Sequence, residues 1–202
     1  MNKSIHGFGR IVLVVMVFLF VIGSTLVWAE CPDDDEFTQD FNFGDCTFVN
    51  NDSEGGNPFF SLQPGYRLVL EGEEDGEEIF VVVTVTNELK EIEFEYNDES
   101  ITLTARVVKE DEWVDGELVE ESFNYFSRCK QTNAVYYFGE WVINYEDGEP
   151  DNNDGSWIAG EYGALPGLIM PGTFLLGSRY FQEIAWEDEA VDRGEHLYLI
   201  HI

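Results

Sequence analysis

The sequence predicts an all-β protein, mainly an antiparallel meander forming a sandwich or partly closed barrel, with a long irregular loop. Three observations carry this. Apolar residues recur with a period of two from Tyr66 onward, Asp-Gly and Asn-Asp pairs punctuate the alternation, and no segment before residue 180 shows a sustained helical stripe. Aromatic residues make up 15% of the 202, far more than acidic disordered chains carry, and rings in that number need a core.

The chain opens on Lys3 and Arg10, an uninterrupted apolar run from Ile11 to Ile22, and Val27-Trp28-Ala29. A positive start, a short apolar stretch and a small residue after it read as a secretion signal over residues 1–29. The run falls short of the ~20 apolar residues that span a bilayer as a helix. The protein is therefore expected to be exported: periplasmic, cell-surface or extracellular. Glu30 before Cys31 argues against lipidation, which wants a small neutral residue there.

Asp and Glu number 41 against ten Lys and Arg, a net charge of −31. That charge excludes nucleic acid and anionic membrane surfaces as partners, because both would repel the chain. A solvated acidic surface suited to a salty medium accounts for it. Weak divalent cations bound by clustered carboxylates are the alternative.

Export permits disulfides. Cys31 and Cys46 bracket a short acidic segment, and the expected bond joins them, tethering an acidic arm over residues 30–56. Phe37, Phe41, Phe43 and Phe48 would pin that arm to a β-domain over residues 57–202. Cys129 is then a spare structural thiol, although three pairings exist and the sequence does not choose among them.

Within the domain, Tyr66, Leu68 and Leu70 alternate with Arg67, Val69 and Glu71 before a turn at Glu74-Asp75-Gly76. Ile79 to Thr86 is dense in β-branched residues and suits a strand buried on at least one face. Ile92, Phe94 and Tyr96 lead to a turn at Asn97-Asp98, after which Ile101, Leu103, Ala105 and Val107 alternate. Asp115-Gly116 gives another hairpin signal, followed by Val119, Phe123 and Tyr125. The clearest strand is Val135 to Tyr145. Val135, Tyr137, Trp141, Ile143 and Tyr145 are read as sharing one face, with Gly139 marking a close approach by a neighbour, and Asp147-Gly148 closes it. Residues 149–178, rich in Gly, Pro, Asn and Asp, read as a surface loop anchored by Trp157 and Leu165 to Met170. Alternation returns at Arg179 to Trp186 and at His196 to Ile202.

Four segments together resemble a family of secreted bacterial proteins of uncharacterised function. They are Asn57-Pro58-Phe59-Phe60-Ser61-Leu62-Gln63-Pro64-Gly65, Tyr136-Tyr137-Phe138-Gly139-Glu140, Gly155-Ser156-Trp157-Ile158-Ala159-Gly160, and Gly163-Ala164-Leu165-Pro166-Gly167 running on to Met170-Pro171. The resemblance covers about residues 57–193 in matching order. It implies export and a β-rich architecture and adds no chemistry. Ser61 stands where the family pattern has proline, and Leu68 and Leu70 where it has aromatic residues. The family pattern continues past Arg193, so this chain reads as C-terminally short.

Candidate chemistry is sparse. Asp151-Asn152-Asn153-Asp154-Gly155 offers oxygen donors, but the glycine comes one position early for an EF-hand and Tyr162 stands where the loop wants Glu, so an Asx-rich turn is the simpler reading. His196 and His201, five apart, fall on opposite faces of a strand and do not converge on one ion. No Gly-x-Ser-x-Gly, P-loop, dinucleotide or His-Glu-x-x-His motif occurs. Tyr136, Phe138 and Trp157 are either core or the lining of an apolar or sugar site. The sequence thus assigns no catalytic, cofactor or metal residues. It leads to an exported non-enzymatic binding or envelope-associated structural protein, with a secreted hydrolase and a calcium-stabilised module as the alternatives.

Overall fold

A computed structural model describes residues 34–52, 55–188 and 190–197. The expected signal segment, Cys31, His201 and the end of the last expected strand lie outside the described residues. No α-helix occurs among the described residues, and the strands form a curled half-barrel sheet with a small second sheet beside it.

The architecture follows from its turns. Strands β1 (Phe48–Val49), β2 (Arg67–Glu74), β3 (Glu77–Tyr96), β4 (Glu99–Val114), β5 (Glu117–Cys129), β6 (Val135–Glu146) and β7 (Glu149–Asn152) are the first seven. Each hairpin from β2 to β5, and the β6–β7 hairpin, turns on two residues with positive φ: Asp75-Gly76, Asn97-Asp98, Asp115-Gly116 and Asp147-Gly148. Such type I′ turns match the right-handed twist of the strands they join. Asn and Asp tolerate the left-handed region through local hydrogen bonding, which is why Asn97-Asp98 serves without glycine. All four turns stand where the sequence places them.

After β7 come β8 (Trp157–Ile158), β9 (Leu165–Met170), β10 (Arg179–Phe181), β11 (Glu183–Ile184) and β12 (Arg193–Glu195). The main sheet has ten strands in the order β11-β9-β6-β5-β4-β3-β2, with β1 added to β5 and with β7 and β8 added to β6. β10 and β12 pair separately. The stretch expected as a surface loop over 149–178 therefore contributes three strands, because β6 is long enough to take β7, β8 and β9 successively along one edge. Pro166 and Gly167 hide the strand character of β9, yet Leu168 and Gly167 still pair with Tyr136 and Tyr137.

The arm packs as its phenylalanines suggest. Phe43 is buried and meets Tyr136, Phe94 and Tyr96 edge-on with centroids 5.0 to 5.6 Å away, and Phe48 meets Phe138 at 5.3 Å. Asn57 is also buried. Its amide donates to the carbonyls of Asn133 and Pro171 at 2.9 and 3.0 Å, while its side-chain oxygen accepts the Phe59 N–H. This clasp gives the Asn57-Pro58 and Met170-Pro171 segments a shared structural purpose.

The disulfide differs from the one expected. Cys46 is bonded to Cys129, with Cα atoms 5.1 Å apart. The reason is register. β1 runs antiparallel to the end of β5 with Phe48 opposite Cys129, which brings Cys46 alongside. Cys129 is thus half of a bridge rather than a spare thiol, and the bond ties the arm to the sheet across 83 residues of sequence. The double substitution Cys46→Ser/Cys129→Ser should cost about 4.5 kcal/mol by loop entropy, read as a lower urea midpoint under non-reducing conditions. A peptide map joining Cys31 to Cys46, or an unchanged midpoint, would contradict this pairing.

Candidate functional site

Directly opposed residues of an antiparallel pair share a face of the sheet. Phe123 faces Trp141, Lys109 faces Phe123, and Val107 faces Tyr125, so three rings and a lysine lie together on one side. This is the side whose other half is covered by Phe43 and Phe48 of the arm. Beyond the arm it is uncovered: Trp141 is 48% exposed.

A bulge in β3 raises a wall beside these rings. The β3–β4 register passes from Val85 opposite Val108 to Leu89 opposite Arg106, leaving three residues of β3 against Val107. The Thr86 hydroxyl donates to the Val107 carbonyl at 2.7 Å and accepts the Glu88 N–H at 3.0 Å, which fixes the bulge. Glu88, Leu89 and Lys90 form the wall. With Val107, Phe123, Tyr125 and Trp141 they enclose a shallow, open groove of about 260 Å³. The Lys90 ammonium lies 5.6 Å from the Tyr125 ring centre and the Lys109 ammonium 5.8 Å from that of Phe123, both within cation–π reach.

The strands beneath are locked by charge. Lys109 pairs with Asp111 at 2.7 Å and with Glu121, and the Tyr145 hydroxyl donates to Glu121. Burial acts to lower the Lys109 pKa, but hydrogen bonds to the two carboxylates prevail and hold it above the usual lysine range. Lys109 and Tyr145 in turn pull Glu121 below the usual carboxylate range.

Two sequence readings of this region are corrected. Gly139 adopts φ 136°, and the β5–β6 register shifts across it. Tyr137 consequently pairs with Phe126 on one face while Trp141 pairs with Phe123 on the other, so Val135 and Tyr137 do not share the face of Trp141. A Cβ at Gly139 would stand 2.5 Å from the Trp157 carbonyl oxygen, the close approach that the sequence suggested. Tyr136, Phe138 and Trp157, candidates for a ligand lining, are all buried in the core. Beside the β3 bulge, Trp141 is exposed and Tyr125 and Phe123 are half-buried. Alternation alone named the first and missed its partners' side, because the parity change at Gly139 leaves no mark beyond the glycine itself.

The opposite face carries carboxylates. Glu110 sits between Val83 on β3 and Ser122 on β5, and Glu112 lies directly opposite Glu120. Glu140 pairs with Asn124 and is buried. Burial, reinforced by the charges of Glu120, Glu112 and Glu140, pushes the Glu110 pKa up to about 7, and burial raises Glu112 as well.

Near the C-terminus, His196 is buried and stacked on Phe174 at 3.8 Å. Its Nδ1 is 3.0 Å from Ser178 Oγ and its Nε2 2.9 Å from the Tyr180 hydroxyl. Ser178 also donates to the Leu175 carbonyl at 2.8 Å. One proton arrangement satisfies every group: Tyr180 donates to Nε2, Nδ1–H donates to Ser178, and Ser178 donates to Leu175. In that arrangement the serine proton goes to a backbone carbonyl, and the three side chains form one hydrogen-bonded chain. Burial lowers the His196 pKa and pushes that of Tyr180 up to about 12. His201 is outside the described residues.

The Asx-rich turn is closed by its own bonds. Asn152 Oδ1 accepts the Asp154 N–H at 2.9 Å and the Asn144 amide at 2.8 Å, and Asn153 donates to the Val142 carbonyl at 2.6 Å.

Comparisons of the chain with protein-family models, curated proteins and solved structures find no match. The side chains themselves therefore carry the functional reading.

Glu110 makes stability depend on pH. Its folded pKa lies above the 4.5 of a free carboxyl, so the folded state binds more protons than the unfolded one between those values. Its contribution to stability falls as pH rises from about 4.5 to 7 and stays low above that. Glu110→Gln should gain about 2 kcal/mol over the parent at pH 8 and nothing at pH 4, measured by urea unfolding. An equal difference at both pH values would refute the buried-charge origin.

Proposed function

We propose that this chain is an exported, non-enzymatic binding module whose ligand surface is the uncovered aromatic half of the sheet. The observation that carries this is Trp141: a large ring, half exposed, beside Phe123 on strands held by the Lys109–Asp111–Glu121 network. Isolated exposed apolar residues are ordinary. A groove with three rings on its floor and a charged wall is a place to put something. Rigid strands suit this purpose, because a ligand then meets a surface already in its binding shape.

The resemblance over residues 57–193 supports export and leaves the ligand open. Among the described residues, the hydrolase alternative would draw on His196 and Ser178, 3.0 Å apart, where the serine hydroxyl also lies 2.8 Å from the Leu175 carbonyl. For the calcium alternative, the 151–155 segment lacks the EF-hand spacing, and its Asn152 oxygen accepts hydrogen bonds from Asn144 and the Asp154 N–H.

The test is native mass spectrometry of the purified protein against a mixed panel of soluble oligosaccharides, short peptides and fatty acids, repeated on Trp141→Ala. The expected outcome is an adduct from one class that the variant loses while its melting temperature is unchanged. Adducts identical in both proteins would overturn the proposal. So would cleavage of a panel member that depends on the protein.

A further inference from the structure

Granting the aromatic face as the ligand surface, we infer that its groove takes a neutral β-linked oligosaccharide, with one sugar ring stacked on Trp141. Shape is the first argument. At about 260 Å³ the groove is shallow and open, whereas sites for compact ligands enclose most of the ligand's surface. An open groove suits a chain that lies across it and continues at both ends. β-1,4-linked pyranoses form such chains, and each ring presents a flat face of axial hydrogens to an aromatic surface.

The wall supplies the complementary chemistry. A sugar hydroxyl both donates and accepts, and Glu88 offers an acceptor beside the donor of Lys90. Lys90 is one of only four lysines in the chain, and its ammonium sits over Tyr125 at the groove. A purely apolar ligand would leave both charges desolvated without partners, at a cost. Charge then narrows the sugar. A net −31 repels polyuronates and sulfated glycans, and equally a second copy of this chain. Neutral rings, bound by stacking and hydroxyl bonds, escape that repulsion and are indifferent to salt.

The experiment is isothermal titration calorimetry with the β-1,4-linked glucose hexamer, the β-1,4-linked N-acetylglucosamine hexamer and polygalacturonate, each at low and high sodium chloride. At least one neutral hexamer should bind, with affinity unchanged within twofold between the salts, and polygalacturonate should not bind at low salt. Trp141→Ala should weaken the hexamer at least tenfold, Tyr125→Ala and Lys90→Ala severalfold, and Trp141→Phe less than Trp141→Ala. Circular dichroism should show each variant as folded as the parent. Failure of both neutral hexamers to bind, or equal binding to Trp141→Ala, overturns the inference. If a peptide or fatty acid binds in a Trp141-dependent way instead, the glycan is wrong and the face reading stands. If nothing binds through Trp141, both fall.

Discussion

Register is the constraint on which everything else in this protein depends. Four two-residue turns with both central residues in the left-handed region set how β2 to β5 align with one another, and how β7 aligns with β6. A slip of one residue in any hairpin would move a strand's whole apolar set to the other side. Because the turns permit little slippage, Val107, Phe123 and Tyr125 are delivered to the same face from two strands, and the pairing of β6 with β5 adds Trp141 opposite Phe123. Two deliberate irregularities then adjust that alignment. The bulge at Thr86–Glu88 lifts a wall beside the rings, and the shift at Gly139 turns Trp141 away from the face of Tyr137.

The scarce cations are spent on holding pieces together. Arg106 and Arg128 are buried, and their guanidiniums donate to backbone carbonyls of Asn50, Asn51 and Thr86. Arg179 bridges Glu36 of the arm and Glu195 of β12, while Arg193 pairs with Asp34 and lies over Phe37 and Phe181. Together with the Cys46–Cys129 bond these contacts fasten the arm along the sheet. The arm stops short of Trp141, and one face is left with a dry, aromatic, arm-covered half and a wet, aromatic half that the arm does not reach. With 41 acidic against ten basic residues in the chain, the proposed ligand of the wet half is neutral or cationic.

Much of this was legible in the residues. The Asp-Gly and Asn-Asp pairs predict the hairpins from β2 to β5 and the β6–β7 hairpin because turn chemistry is local, and the β-branched run from Ile79 predicts a buried strand for the same reason. The phenylalanines of the arm predict docking, since four rings in an acidic segment have nowhere else to go. What escaped was set by contacts distant in sequence. Cys46 finds Cys129 only because β1 pairs with the far end of β5. β9 becomes a strand through Tyr136 despite its proline and glycine. The aromatic groove escaped because a glycine at position 139 marks a close neighbour without announcing that the strand's two sides exchange there.

The most direct measurement of the central claim is amide and indole chemical-shift mapping of the ¹⁵N-labelled protein titrated with the neutral β-1,4-linked hexamer that binds it. The account predicts shifts concentrated at the Trp141 indole and the backbone of Glu88 to Lys90, Val107, Phe123 and Tyr125, with the Trp157 indole unmoved in the core. Shifts centred on Trp157, on Ser178 and His196, or spread evenly over the sheet would contradict it.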